Sequence, residues 1–124
     1  MECLFIMTYL IVSFCFIGFD IVTGLLKAIY KGKVNSTVLR EGLFHKISEL
    51  LVVLGSGALE YGTVYINLGI DLPLIEAVTV YICLIELASI IENLCELNPK
   101  LAKLFKPYLE KIQKMDDEKG GKDE

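Results

Sequence analysis

The amino-acid sequence predicts an all-α integral membrane protein, with about three transmembrane helices followed by a C-terminal amphipathic interfacial helix. Three observations predict it. Hydrophobic residues make up 54% of a 124-residue chain, more than a soluble domain of this size can hide. They gather in three runs, each long enough for the roughly 20 residues that carry a helix across the hydrocarbon of a bilayer. The basic residues are confined to two clusters, one surrounding the first connection and one after the third run.

The first span is predicted over about residues 3–30. Leu4 to Phe19 carry no charge, Asp20 interrupts, and Ile21 to Leu26 resume the apolar pattern. A cleaved signal peptide needs basic residues ahead of its apolar core. Only Glu2 precedes this one, so the run reads as a span. Met7 reads as apolar filler of this span. In the first connection, Asn35-Ser36-Thr37 reads as a helix-cap cluster opening a short segment toward His45. Read as a glycosylation sequon it fails on the cytoplasmic side, and His45 reads as an interfacial residue.

The second span, about 43–70, contains Lys46, Glu49 and Glu60, and the third, about 72–97, contains Glu76, Glu86, Glu92 and Glu96. Between them Asn67 to Pro73 supplies turn formers and ends in a proline suited to a helix start. So short a link predicts an antiparallel hairpin of the second and third helices. The Gly55-Ser56-Gly57 cluster either permits close helix approach or marks a kink.

After Leu97, Asn98-Pro99 reads as an N-cap followed by a first-turn proline. Apolar Leu101, Phe105, Tyr108, Ile112 and Met115 then recur at helical spacing among lysines. Such a helix, about 99–115, lies in the membrane interface and is attracted to anionic lipid. The alternative is a solvated helix packed on a neighbouring subunit. Pro107 should kink it. Residues 1–115 then form one transmembrane domain, and 116–124 a disordered charged tail.

Orientation follows from the positive residues, which stay in the cytoplasm. Lys27, Lys31, Lys33, Arg40 and Lys46 surround the first connection, and Lys100, Lys103, Lys106, Lys111 and Lys114 follow the third span. The N-terminus is expected outside and the C-terminus in the cytoplasm. The basic residues at Lys31, Lys33, Arg40, Lys46 and in the C-terminal helix are expected at the membrane surface.

Several function classes are excluded. A net charge of −4 gives no nucleic-acid footprint. Cys3, Cys15, Cys83 and Cys95 form no CxxC pair and have no histidine nearby, so they read as small hydrophobes. No nucleophile–base pair, phosphate loop or metal set is present, and no catalytic residue, cofactor or metal is expected.

The polar residues of the spans carry more information. Projected at 100° per residue, Glu49, Ser56, Glu60, Thr63 and Asn67 share an arc of the second span, with Lys46 at its edge. Thr79, Glu86 and Asn93 align on the third, flanked by Cys83 and Ser89. Ser13, Asp20, Gly24, Lys27 and Lys31 share a side of the first. Helices that are oily on one side and polar on another either bury hydrogen bonds between themselves or, on assembly, line a water-filled path. A charge at the bilayer centre costs about 2.5–3.5 kcal/mol. Asp20 and Lys27 lie two turns apart, about 10 Å by helical rise, too far for a firm pair within one helix. Each is expected to find its partner on another helix, and assembly of several copies is expected to satisfy the buried charges.

The segment Asp20-Ile-Val-Thr-Gly24-Leu-Leu-Lys27-Ala28, followed by Gly32-Lys33-Val-Asn35-Ser36 and Arg40-Glu-Gly42-Leu-Phe-His-Lys46, resembles the phage holin and toxin-secretion holin family. The resemblance covers roughly residues 15 to 55, and beyond them it rests on hydropathy and the lysine-rich tail. It implies a small three-span protein that accumulates in the bacterial cytoplasmic membrane and forms homo-oligomers. These open lesions through which an endolysin, or a large toxin without a signal peptide, leaves the cell. It also implies that Asp20, Thr23, Gly24 and Lys27 sit at a helix–helix contact, and that Lys31, Lys33, Ser36, Arg40 and Lys46 form the cytoplasmic membrane-surface loop. With the polar stripes, this makes Asp20, Thr23, Gly24, Lys27, Glu49, Ser56, Glu60, Thr63, Glu86 and Asn93 the expected oligomer contacts or pore lining.

Two other functions remain open on the sequence. A small proton-coupled multidrug-type transporter has similar length and a membrane glutamate, for which Glu49, Glu60 or Glu86 would serve, but has four spans and a Trp-containing site. An antiholin or scaffolding subunit would share the architecture without opening a hole.

Overall fold

The computed structural model describes residues 2–69 and 71–120, and among them there are four helices and no strand. These are α1 (Glu2–Tyr30), α2 (Ser36–Tyr65), α3 (Leu74–Leu97) and α4 (Pro99–Gly120). The first three are long and apolar enough to cross a membrane. The all-α, three-span architecture predicted from the sequence is the one observed.

The helix ends follow from local chemistry. At the end of α1, Gly32 takes a left-handed φ of 64°, which a residue without Cβ adopts at no steric cost. The chain reverses there, with the Lys33 N–H donating to Ala28 O at 3.0 Å. Asn35 then caps α2, its side-chain oxygen accepting from the Thr37 N–H at 2.9 Å. From this cap the helix runs unbroken to Tyr65. The short segment toward His45 expected before the second span is therefore the first turns of α2 itself. No proline lies between Ser36 and Leu43 and the helix tolerates Gly42, so hydropathy marks where the membrane begins rather than where the helix does. Asn98 ends α3 and begins α4, its side chain accepting from the Lys100 N–H at 3.1 Å. Helix α4 passes through Pro107 and continues to Gly120, beyond the end expected at Met115. Residues 116–120 of the expected tail are thus helical, while 121–124 lie outside the described residues.

Contacts between side chains fix the topology. Ser13 meets Thr79, Asp20 meets Asn93 and Lys31 meets Glu96, so α1 and α3 run parallel. Lys46 meets Asp20 and Glu86, while Glu60 meets the start of α3, so α2 runs antiparallel to both. Helices α2 and α3 are antiparallel as expected. The principal interface, however, is between α1 and α3, which are not adjacent in sequence. Polar positions along this bundle recur every seven residues: Ser13, Asp20 and Lys27 on α1, Glu49, Ser56 and Thr63 on α2, Thr79, Glu86 and Asn93 on α3. Two helical turns separate successive members, so each stripe stays on one face.

Among the described residues Ile17, Val53, Ile75 and Ile82 are the buried hydrophobic ones, whereas Phe14, Phe19, Leu51, Val52, Val80 and Leu84 point outward. That is the inverse of a soluble fold and suits an acyl-chain solvent. At Gly57, side chains of both other spans pack against α2. A Cβ at Gly57 would sit 3.0 Å from Ile75 Cδ1 and 3.4 Å from Ile6 Cγ2, whereas one at Gly55 would meet nothing within 4 Å. Gly57→Leu should lower stability by about 1–3 kcal/mol through overpacking. Gly55→Ala should leave it unchanged or raise it by up to about 1 kcal/mol. Unfolding by SDS titration in bicelles, followed by circular dichroism, distinguishes the two, and equal effects at both glycines would contradict this packing.

Candidate functional site

The polar groups of the three spans form one connected cluster on the bundle axis. Lys46, on α2, is its hub. The Lys46 Nζ lies 2.7 Å from Asp20 Oδ2 on α1 and 2.6 Å from both carboxylate oxygens of Glu86 on α3. Glu49, one turn along α2, approaches the same ammonium at 3.5 Å without forming a hydrogen bond. Glu86 is completely buried, and the side chains of Lys46 and Asp20 are 16% and 10% exposed, so this is an interior ion cluster rather than a surface one.

The other Asp20 oxygen is also engaged. The Asn93 amide donates to Asp20 Oδ1 at 3.2 Å and to Thr23 Oγ1 at 3.1 Å. The Thr23 hydroxyl in turn donates to the Asp20 carbonyl at 3.1 Å. Gly24 faces Asn93, and a Cβ there would make ordinary contact with Asn93 Nδ2 at 3.6 Å. Ser13 donates to Thr79 at 3.4 Å farther along the α1–α3 seam. Ser56, also buried, returns its proton to the Val52 carbonyl of its own helix.

The two ends of the bundle differ in sign. At one, Lys31 and Lys27 approach Glu96 at 2.5 and 4.0 Å, both partly exposed. Lys33, Arg40, Lys100, Lys103, Lys106, Lys111 and Lys114 are all exposed. At the other, Glu60 accepts the Ile75 N–H at 2.9 Å and so caps a helix whose N-cap, Pro73, offers no side-chain oxygen. A carboxylate there also meets the positive end of the helix dipole. Thr63 donates to the Glu60 carbonyl at 2.6 Å. Both residues border an open cavity of about 390 Å³ that Phe5, Tyr9, Asp71 and Glu76 also line. No lysine or arginine occurs in residues 1–26 or 47–99.

The candidate residues thus divide. Asp20, Thr23, Gly24, Glu49, Glu86 and Asn93 come together, Ser56 is buried nearby, Lys27 sits at the basic end, and Glu60 and Thr63 at the acidic end. Lys46 is corrected from a membrane-surface residue to the centre of the cluster. Its four-carbon stem carries the ammonium inward to carboxylates instead of outward to headgroups. The partners expected from assembly for Asp20 and Lys27 are already present within one chain. Glu96 and the Ser13–Thr79 pair were not among the candidates, although Ser13 and Thr79 open the same seven-residue series as Asp20 and Glu86. The four cysteines are free, and no metal-binding group occurs among the described residues.

Residues 3–114 match the bacteriophage holin family, a stretch that takes in all three spans and most of α4. The chain belongs to that family. It is therefore a holin-type, multi-pass membrane protein, as the Asp20-to-Lys46 segment had suggested, and its family is non-enzymatic. No curated protein and no solved structure matches it.

Removing one partner of a buried ion pair strands the other in low dielectric, which costs about 3–5 kcal/mol, whereas an exposed pair contributes about 0–1 kcal/mol. Lys46→Met should accordingly destabilise the bundle by about 3–5 kcal/mol and Lys31→Met by less than about 1 kcal/mol. SDS-titration unfolding of the two variants tests the ranking, which would be refuted if Lys31→Met were the more damaging.

Proposed function

We propose that this chain is a pore-forming holin of the bacterial cytoplasmic membrane. Copies accumulate there, gather into homo-oligomers and open lesions through which an endolysin or a signal-less toxin leaves the cell. The observation that carries the reading is the family match across residues 3–114, which covers every membrane-crossing helix rather than a single apolar stretch.

The charge distribution supports an orientation. The basic end holds the α1–α2 connection and α4, so on the positive-inside rule it faces the cytoplasm, with the N-terminus and the Glu60–Glu76 cavity outside. Helix α4 exposes Leu104, Tyr108 and Met115 beside its lysines, which suits the anionic inner leaflet. In the assembled state Asp20, Thr23, Gly24, Lys27, Glu49, Ser56, Glu60, Thr63, Glu86 and Asn93 supply the contacts between copies or the lining of the lesion.

Induced alone in a bacterium, the chain should collapse the membrane potential abruptly and then release a co-expressed cytoplasmic muralytic enzyme. A potential-sensitive dye and the culture turbidity report the two events. Cells that keep their potential while the protein accumulates in the membrane would refute the pore and favour an antiholin or scaffold. Terminal tags should be accessible from opposite sides; both on one side would refute the three-span orientation.

A further inference from the structure

We propose that the Lys46 cluster is an autoinhibitory latch that holds each chain closed until assembly. The proposal rests on the pore reading above. It starts from the distribution of polar groups over the spans: Ser13, Asp20, Thr23, Ser56, Thr79, Glu86 and Asn93 are all buried within one chain. The outward faces of the same helices carry Phe14, Phe19, Ile21, Val22, Leu51, Val52, Leu84 and Leu87. A chain in this state presents a mostly apolar surface to lipid and to other copies, and its buried polar stripes are unavailable to line water. For its polar faces to reach a lumen, the spans must separate or rotate.

What opposes that motion is concentrated at one atom. Lys46 Nζ belongs to α2 and touches Asp20 of α1 at 2.7 Å and Glu86 of α3 at 2.6 Å. Among the described residues no other side-chain group joins all three spans through ion pairs. Rotating any one span away leaves a carboxylate or the ammonium unpaired in a low-dielectric interior, so partial opening is the least favourable arrangement. The closed packing and an assembled state in which the released groups meet water are therefore separate wells rather than points on a continuum. The Asn93 bonds to Asp20 and Thr23 and the Ser13–Thr79 contact hold the α1–α3 seam shut in the same sense. Neither involves α2, which Lys46 ties to that seam.

The test locks the seam covalently and, separately, removes the hub. In a background with Cys3, Cys15, Cys83 and Cys95 changed to alanine, Ser13→Cys and Thr79→Cys place two thiols where the side-chain oxygens stand 3.4 Å apart. Oxidation during induction should form an intrachain disulfide, seen as a gel-mobility shift. Depolarisation should be lost while the amount of protein in the membrane is unchanged, and a reductant should restore it. In a chain with native cysteines, Lys46→Met should bring depolarisation forward at equal membrane level. An oxidised, fully cross-linked chain that depolarises on schedule would overturn the latch and leave the pore reading intact, as would unchanged or delayed onset with Lys46→Met. If the reduced chain never depolarises the membrane, the pore reading fails and the latch falls with it.

Discussion

One ammonium group meeting carboxylates from two other helices is the interaction on which this bundle depends. In water, burial of apolar surface would assemble three such helices. In a bilayer it cannot, because acyl chains solvate leucine as well as another leucine does. The small buried hydrophobic set, Ile17, Val53, Ile75 and Ile82, is consistent with that. What the lipid cannot supply is a partner for Asp20, Lys46 or Glu86. Each would cost about 2.5–3.5 kcal/mol alone at mid-membrane. Bringing the opposite charges within hydrogen-bond distance offsets that cost, and it fixes which faces meet. The cluster lies about 15 Å along α1 from Tyr30, well inside the span, where water cannot substitute for these partners.

Much of this was legible in the sequence, for reasons tied to particular residues. The spans followed from run length and the α4 start from Asn98, whereas Asn35, read as the cap of a separate short segment, opens α2 itself. The stripes containing Asp20, Glu86 and Asn93 followed from helical projection. Projection, however, says which residues share a face and not which face it meets. The parallel α1–α3 interface brings together residues more than sixty positions apart, a separation that no local pattern encodes. Lys46 was misplaced for a related reason. Its backbone lies near the basic loop, and its side chain is long enough to serve either the headgroups or the interior. Only the position of Asp20 and Glu86 decides between them. Glu60 was visible as a polar residue of α2, but its role as cap for α3 depends on the turn at Gly69 and Pro73 folding the next helix back onto it.

The same geometry separates a holin from the small transporter that its length and membrane acids also suggested. A carboxylate that exchanges a proton for a substrate must be reachable by both. Glu86 is wholly buried, and both of its oxygens are held by Lys46. Glu60 is committed to the α3 N-terminus. Neither is placed for such exchange in this conformation, and Glu49, whose Oε2 is unbonded, stands 3.5 Å from the Lys46 ammonium, which competes with any cationic substrate.

A lesion lined by this chain sets a condition that the closed bundle does not meet. Water in contact with a span needs polar groups on the exposed face, yet Ser13, Asp20, Thr79, Glu86 and Asn93 all turn inward and face one another. These residues cannot bond to each other along a single bundle axis and line a lumen at the same time. Accumulation of closed chains therefore does not by itself perforate a membrane: a crowd of them is still an apolar surface in an apolar solvent. Concentration matters because only a dense cluster of copies can enclose the water that takes the place of Lys46 beside a released carboxylate. On this reading the interior charges both keep the isolated chain intact and make its opening cooperative.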